Sequence, residues 1–143
     1  MGDPQVAQFA SWDACATKAS AADYLAATIL PQPWYRAICL HERPVGFVAA
    51  RPGTAIDRCR AELSYGVAEI YVAAAAVGMA VAALFAELPE LERVEGLVAV
   101  ENKASKRVLG KAGFVRGVLR RYRVVRGKLW DMVCDSLTHP DLP

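Results

Sequence analysis

The chain has 143 residues, of which 55% are hydrophobic and 22% are charged, and its formal net charge is +2 at pH 7. This composition excludes an intrinsically disordered protein, and so small a net charge gives no reason to expect a nucleic-acid partner. The length predicts a single domain over residues 1–143, which can bury a core without help from disulfides or metals.

The cysteines and histidines form no metal-binding pattern. No two of the four cysteines are close enough for a CxxC motif, and the chain has only two histidines, so we expect no metal site. Cys39, Cys59 and Cys134 fall in apolar, strand-like runs, which predicts buried free thiols. Free thiols, together with a start of the chain that lacks the pattern of a signal peptide, indicate a cytoplasmic protein.

The N-terminal third of the chain has a helical pattern. A proline at the first helical position predicts a short helix from Asp3 through Phe9. Ser20 is a good N-cap for a second helix over residues 21–30, which the prolines that follow would end.

Strand patterns follow these helices. Residues 34–40 and 45–50 predict a β-hairpin, and residues 59–67 alternate between apolar and polar side chains. Residues 72–88 form an alanine-rich helical pattern whose larger apolar side chains share one face. The stretch over residues 70–86 has no charge, but its alanines and acidic flanks predict a buried helix rather than a membrane span.

The C-terminal part adds a strand, a helix and a second hairpin. Residues 93–100 are nearly all apolar, and Asn102 is the predicted cap of a helix that ends at Ala112. Residues 114–125 and 129–137 predict the final hairpin. One strand–helix–strand crossover between hairpins predicts an α/β fold with a mixed sheet.

In such a sheet a ligand is expected where a crossover strand ends and the next helix begins. At one of these points Asn102 is followed by Ser105 and by three basic residues, Lys103, Lys106 and Arg107. Cations at a helix N-terminus oppose the helix dipole, and an anion such as a phosphate would relieve that conflict. A solvated first turn capped by Asn102 explains the same pattern.

Residues 100–114 (VENKASKRVLGKAGF) resemble the NxxSxRxLEKxGF signature of GNAT acetyltransferases. Residues 3–12, 61–65, 91–95 and 122–137 are similar to the branch of that family that acetylates the N-termini of ribosomal proteins. The resemblance covers nearly the whole chain. It implies the GNAT fold, in which helices flank a mixed central β-sheet.

The resemblance also implies a reaction, namely transfer of an acetyl group from acetyl-CoA to a primary amine without a metal. The amine, a protein N-terminus or a small molecule, would attack the thioester directly in a ternary complex. Glu62 would be the base, Ser105 the proton donor to coenzyme A, and Asn102 a partner of the pantetheine arm or of a catalytic water. Tyr122 and Asp131 would line the acceptor pocket. Further cofactor contacts are implied at Val67, Ala68, Tyr71, Val72, Ala73 and Arg107.

Each of these assignments has a structural alternative. Glu62 could be an ion-pair partner of Arg60, and Ser105 an ordinary polar residue of an early helical turn. Structural roles also remain open for Tyr122 and Asp131. The arginine-rich run over residues 120–123 fits a solvated strand edge better than a site for an acidic partner.

One departure from the family pattern lies after Tyr71, where Val72 and a run of alanines follow at once. Family members have a glycine-rich loop here, whose amides hold the pyrophosphate of coenzyme A. Either the protein has lost tight binding of coenzyme A, or the sequence lacks a mobile loop that the complete molecule contains. The first case corresponds to an alternative function, a non-catalytic GNAT-like module that acts through protein partners.

A second departure concerns the first strand of the fold, for which this sequence shows no counterpart before Asp3. Its loss would leave the strand over residues 34–40 as an exposed sheet edge. We therefore expect a homodimer formed through this edge. Because the uncharged stretch over residues 70–86 is predicted to be a buried helix, we expect no membrane partner.

Overall fold

The computed structural model describes residues 14–68, 70–125 and 127–139. The helix predicted from Asp3 through Phe9 lies outside these ranges, as does everything expected of the start of the chain. Within the described ranges the chain forms three α-helices, which we number α1 to α3, and six strands, β1 to β6.

Helix α1, Lys18–Tyr24, begins earlier than predicted and has a different cap. The hydroxyl of Thr17 accepts the Ser20 N–H at 3.0 Å, and the Ser20 hydroxyl accepts the Thr17 N–H at 3.1 Å. Thr17 is therefore the N-cap of a capping box, and Ser20 is its N3 residue. The prediction of Ser20 as the cap was wrong. The helix continues as a π-helical turn, Leu25–Ile29, which ends at the buried Ile29.

The predicted hairpin is confirmed by the first two strands. Strand β1, Trp34–Leu40, has the predicted bounds, and β2, Arg43–Pro52, extends beyond residues 45–50 at both ends. His41 and Glu42 form the turn between them, with φ angles of +49° and +64°. Two left-handed residues give a turn whose twist matches that of the flanking strands.

The crossover unit follows a short 3₁₀ helix, Ala55–Asp57. It consists of strand β3, Arg60–Val67, helix α2, Ile70–Glu87, and strand β4, Arg93–Ala99. In β3 the alternate residues Ala61 and Leu63 are buried, which confirms the predicted alternation.

Helix α3, Lys103–Lys111, has Asn102 as its N-cap, as predicted. Gly113 follows the helix with a φ of +92°, a left-handed conformation that favours glycine. Strands β5, Val115–Val125, and β6, Lys128–Thr138, form the predicted final hairpin.

The six strands form one sheet in the order β1-β2-β3-β4-β6-β5. Strands β3 and β4 pair in parallel, and every other neighbouring pair is antiparallel. Helix α2 connects the two parallel strands. The mixed α/β sheet predicted from the element order is thereby confirmed.

Helices cover both faces of the sheet. The face toward α2 and α3 contains the main core, whose fully buried side chains include Leu84 of α2, Leu109 of α3 and Val94 of β4. The opposite face packs Phe47 and Ala49 of β2 against α1. We name these the core face and the α1 face.

The uncharged stretch over residues 70–86 coincides with α2, as predicted. The helix buries Val77, Val81 and Leu84 against the sheet, while Met79 remains 75% exposed. In the described residues, no helix combines the length and the apolar character that crossing a bilayer requires.

The four cysteines are free thiols, but the expectation that three of them are buried was wrong. Cys39 and Cys59 are exposed, and Cys134 is only half-buried. Cys39 lies in the edge strand β1, and Cys59 comes just before β3 begins. Cys134 lies in β6, on a partly covered face of the sheet.

The edge strand β1 is joined to the end of α2 by Glu87. The Trp34 indole Nε1 donates to Glu87 Oε2 at 2.8 Å, and Arg36 Nη2 donates to both oxygens of the same carboxylate. The hydrogen bond from Trp34 and the Arg36 guanidinium lower the pKa of the Glu87 carboxyl. The charge of Arg36 is therefore neutralised within the fold.

Candidate functional site

The sheet divides between its two parallel strands. Strands β3 and β4 pair at only three positions, the last of which joins Glu62 to Glu95. Beyond it, β3 continues to pair with β2 as far as Val67, and β4 with β6 as far as Ala99. A wedge-shaped opening therefore separates residues 63–67 of β3 from the end of β4, and we call it the β3–β4 wedge.

The β3 side of the wedge presents backbone groups that β4 does not pair with in the described residues. Such a strand edge can receive an extended ligand through main-chain hydrogen bonds. Val67, one of the predicted contact residues, ends this edge. The N–H of Ala68 already donates to the Val45 carbonyl at 2.8 Å, so Ala68 can offer only its carbonyl.

The N-terminus of α3 lies just past the end of β4, at the open end of the wedge. Asn102 Oδ1 accepts the Ser105 N–H at 3.0 Å, which places Ser105 in the capped first turn. Ser105 is half-buried, whereas Lys103 and Arg107 are exposed. A helix N-terminus beside unpaired strand groups offers N–H donors and a favourable dipole to an anionic ligand.

Gly96 allows α3 to lie close to β4. A Cβ atom at Gly96 would be only 2.8 Å from Leu109 Cδ1, so a larger residue would force the buried Leu109 side chain to move. Gly96 is also the first residue of β4 beyond the pairing with β3. The close approach of α3 and the opening of the wedge therefore occur at the same level of the sheet.

Tyr65 connects the two sides of the wedge. Its hydroxyl donates to the Ser105 carbonyl at 3.3 Å, which joins β3 to the first turn of α3. Burial raises the pKa of the Tyr65 phenol, and the Asp135 carboxylate adds to this rise, so the hydroxyl remains a donor at neutral pH. Sequence reasoning assigned Tyr65 only to an apolar strand face. The available signal was a tyrosine on that face, because a buried hydroxyl needs a partner.

An ion pair between a buried carboxylate and a partly exposed arginine supports α3 from the sheet. Asp135 is 0% exposed, and its two carboxylate oxygens accept from Arg116 at 3.1 and 3.3 Å. Arg116 Nη2 also donates to the Lys106 carbonyl in α3 at 3.0 Å. Sequence reasoning did not identify this pair. The signal was the position of Asp135, which alternates in phase with the inward-facing Val133 and Leu137.

Glu62 lies at the apex of the wedge, at the last paired position of β3. Because Ala61 and Leu63 are buried in the core face, Glu62 projects from the α1 face. Arg60, its suggested partner, bonds Asp57 at 3.2 Å and Glu95 at 3.3 Å. Glu62 and Ser105 therefore approach the wedge from opposite faces of the sheet.

Tyr122 and Asp131 lie in a bulge of the β5–β6 hairpin. Residues 120–122 of β5 face only Asp131 of β6, and Arg121 has a φ of +49°. Asp131 Oδ1 accepts the Arg121 N–H at 2.7 Å, so one carboxylate oxygen maintains the bulge. Because the next residue of β6, Met132, pairs with Ala99, the bulge lies at the same end of the sheet as the wedge mouth.

Tyr71, Val72 and Ala73 belong to the first turn of α2. Ala73 is fully buried and Val72 is half-buried. The side chain of Tyr71 lies outside the described part of the structure. Only residues 68 and 69 connect β3 to α2, and residue 69 is not described.

The described residues contain no group of three or more histidine, cysteine, aspartate or glutamate side chains arranged to hold a metal ion. The polar groups beside the wedge are instead a carboxylate, hydroxyls, an amide and backbone N–H groups. These groups can transfer protons and bind a polar chain.

The stabilising effect of the buried pair can be measured. Asp135→Ala should lower the free energy of unfolding by about 2 kcal/mol or more, because two charge-assisted hydrogen bonds are lost and a cavity is left. Asp57→Ala is the matched control, since its ion pair with Arg60 is exposed, and it should change stability by less than about 1 kcal/mol. Urea unfolding measures both values. Equal effects of the two substitutions would contradict the role assigned to Asp135.

Comparison with known proteins adds independent information. Residues 1–115 match the sequence profile of the Acetyltransferase (GNAT) domain. No curated protein sequence matches the chain significantly.

Several solved structures share the fold. An acetyltransferase (GNAT family) from Bacillus anthracis superposes with a TM-score of 0.80 at 17% identity, over 96% of this chain and 83% of that one. Mycobacterium smegmatis RimJ, solved in complex with CoA-disulfide, has 31% identity and a TM-score of 0.64, over 75% of this chain and 53% of that one. The ribosomal-protein-S5-alanine acetyltransferase from Vibrio fischeri has 22% identity and a TM-score of 0.60, over 70% of this chain and 57% of that one. The chain thus spans little more than half the length of the last two proteins.

Proposed function

The chain belongs to the GNAT acetyltransferase family, and from this premise we propose that it transfers an acetyl group from acetyl-CoA to a primary amine. The observation that supports the proposal is the β3–β4 wedge, with the capped N-terminus of α3 at its open end. The wedge gives an extended thioester a strand edge to pair with, and it lies between a carboxylate on one face of the sheet and a hydroxyl on the other.

Acetyl-CoA would enter from the core face. The backbone of residues 63–67 would pair with the amide groups of the pantetheine arm, and the carbonyl of Ala68 would extend this edge. Asn102 would bond the arm or an ordered water, and Arg107 would attract a phosphate at the start of α3. The first turn of α2, which contains Tyr71, Val72 and Ala73, begins at the same end of the sheet and would complete the cofactor contacts.

The proposed proton transfers follow from the positions of the Glu62 and Ser105 side chains. Glu62, on the α1 face, would take a proton from the ammonium form of the acceptor, directly or through water. The free amine then attacks the thioester carbonyl carbon, so that a C–N bond forms and the C–S bond breaks. Ser105 would give a proton to the departing thiolate of coenzyme A, and the second proton lost by the attacking nitrogen would return to the Ser105 oxygen through water. The wedge allows the two substrates to meet from opposite faces without an enzyme nucleophile.

A protein N-terminus is the acceptor that we favour, with a small-molecule amine as the alternative. RimJ and a ribosomal-protein-S5-alanine acetyltransferase are among the solved proteins that share the fold. The bulge that contains Tyr122 and Asp131 lies at the mouth of the wedge, where the residues after the N-terminus would pass. The four free thiols fit action in a reducing compartment, which we propose to be the cytoplasm.

The connection between β3 and α2 supports a second candidate function, a non-catalytic GNAT-like module that acts through protein partners. Only residues 68 and 69 separate the strand from the helix, which leaves no room for a glycine-rich loop around the pyrophosphate of coenzyme A. In this case the wedge would be a remnant of the fold. Binding of acetyl-CoA distinguishes the two candidates.

Binding of acetyl-CoA should be detectable by calorimetry, and Asn102→Ala should weaken it about fivefold, the effect of one hydrogen bond of about 1 kcal/mol. Thr17→Ala is the matched control, because Thr17 caps α1 by the same type of bond on a helix remote from the wedge. Both variants should lose about 1 kcal/mol of stability, but only Asn102→Ala should lose affinity. If the unaltered protein does not bind acetyl-CoA, the non-catalytic module replaces the enzyme.

Ser105→Ala and Glu62→Gln should each lower kcat about a hundredfold, as expected when a general acid or base is removed. The affinity for acetyl-CoA should remain nearly unchanged, because both groups act mainly in the transition state. Glu42→Gln, in the exposed turn between β1 and β2, is the control for loss of a carboxylate. An equal fall in affinity and kcat for Ser105→Ala would make Ser105 a binding residue only.

We also propose that the chain forms a homodimer through β1. This strand pairs only with β2 in the described residues, and Glu87 neutralises the one charge on it that would repel a second copy. Ala37→Lys places a new charge on the edge and should shift sedimentation equilibrium toward the monomer. Ala26→Lys, at an exposed position of the π-helical turn that follows α1, is the control and should have no effect. A monomer at high micromolar concentration in the unaltered protein would rule out this dimer.

A further inference from the structure

The second edge of the sheet, β5, has properties that acetyl transfer does not explain. Strand β5 pairs with β6 on one side and with no described strand on the other. Its sequence, VRGVLRRYRVV, contains four arginines and no acidic residue. An edge strand exposes unpaired N–H and C=O groups along its free side, so it can accept a further strand.

Apolar side chains of β5 are unusually exposed. Val115 is 73% exposed, Val118 62% and Val124 64%. Exposed apolar residues gathered on one strand indicate an interaction surface, whereas the same residues scattered singly would not. Because successive side chains alternate, Val115 and Val118 lie on opposite faces of the sheet, on either side of the same free edge.

The bulge divides this edge into two parts. Residues 115–119 pair regularly with β6, so their free side has the geometry of an ordinary strand. Residues 120–122 then bulge opposite Asp131, whose carboxylate bonds the Arg121 N–H. A bulge of this kind ends regular pairing and redirects the side chains within it. The regular edge is therefore followed directly by two redirected arginines, Arg120 and Arg121.

These arginines differ from Arg116 in their pairing. Arg116 bonds the buried Asp135 and the Lys106 carbonyl. Arg120 and Arg121 are exposed, and neither forms an ion pair with any of the described residues. The charges of Arg120 and Arg121 thus lie at the end of a free strand edge, beside the exposed valines of β5.

We propose that the β5 edge is a docking surface for an acidic, extended segment of a protein partner. The segment adds a strand along residues 115–119, contacts Val115 and Val118 with apolar side chains, and places carboxylates against Arg120 and Arg121. Charge complementarity selects this occupant. A second copy of the same edge would bring arginines against arginines, and like charges on neighbouring strands are destabilising. The proposal does not depend on acetyl transfer.

The test uses a fluorescently labelled peptide, about as long as β5, in which glutamate alternates with threonine or valine. Its N-terminus is acetylated, so it has no free amine and cannot act as an acceptor at the wedge. Fluorescence anisotropy should show binding that weakens as NaCl is added. A control peptide with proline between the glutamates keeps the charge but lacks the N–H donors of a strand, and it should not bind.

The double variant R120Q/R121Q should weaken peptide binding about tenfold, the effect of two ion pairs of somewhat under 1 kcal/mol each. K18Q/R43Q removes the same charge from exposed positions on α1 and β2 and should leave binding unchanged. Thermal unfolding of both variants checks that they are folded. An equal loss in the two double variants would show a non-specific charge effect and would overturn the proposal.

Hydrogen exchange locates the site independently of the substitutions. Peptide binding should slow exchange of the backbone amides within residues 115–119, because strand addition uses the free N–H groups of this edge. Protection confined to another part of the chain would overturn the proposal. A short oligouridylate provides a second check. If it displaces the peptide, and if its binding depends on Arg120 and Arg121 as strongly as peptide binding does, the surface is a nucleic-acid site and the proposal is overturned.

Discussion

The separation of β3 from β4 is the constraint on which the rest of the site depends. Each strand remains paired on its outer side, β3 with β2 as far as Val67 and β4 with β6 as far as Ala99. The sheet therefore keeps its order while two rows of backbone groups lose their partners. Each hydrogen bond that β3 and β4 do not form would have stabilised the fold by about 1 kcal/mol. Other contacts must therefore hold the strands apart. Leu109 packs over Gly96 of β4, and Tyr65 of β3 bonds the Ser105 carbonyl, so α3 is fixed to both strands beside the wedge.

The wedge also assigns different chemistry to the two faces of the sheet. The core face is mostly apolar, and two ion pairs lie at it: Arg36 with Glu87 at the end of α2, and Arg116 with Asp135, which secures α3. On the α1 face, β3 and β4 carry carboxylates and arginines beyond the area that α1 covers. Only at the wedge can a group bound on one face reach a group bound on the other. In the proposed reaction, Glu62 and Ser105 can therefore act together although they project from opposite sides.

Most of the elements could be predicted from the sequence because they depend on local periodicity and local caps. The alternation in β3, the apolar stripe of α2 and the Asn102 cap are all visible within a few residues. The Ser20 cap was wrong for a local reason, since a capping box has two hydroxyl residues three positions apart and either can be taken as the cap. The wedge, the burial of Asp135 and the bulge at Arg121 depend on which strands are neighbours and in which register. No local pattern encodes that information.

The short connection between β3 and α2 affects the two parts of the proposed reaction differently. Contacts to the pyrophosphate of coenzyme A lie far from the thioester, and such remote contacts supply binding energy rather than chemistry. The groups proposed for proton transfer, Glu62 and Ser105, lie on β3 and α3 and do not depend on a loop before α2. In the proposed reaction, absence of that loop would lower the affinity for acetyl-CoA but would not change the positions of Glu62 and Ser105. The remaining binding energy must then come from the strand edge over residues 63–67 and from the N-terminus of α3.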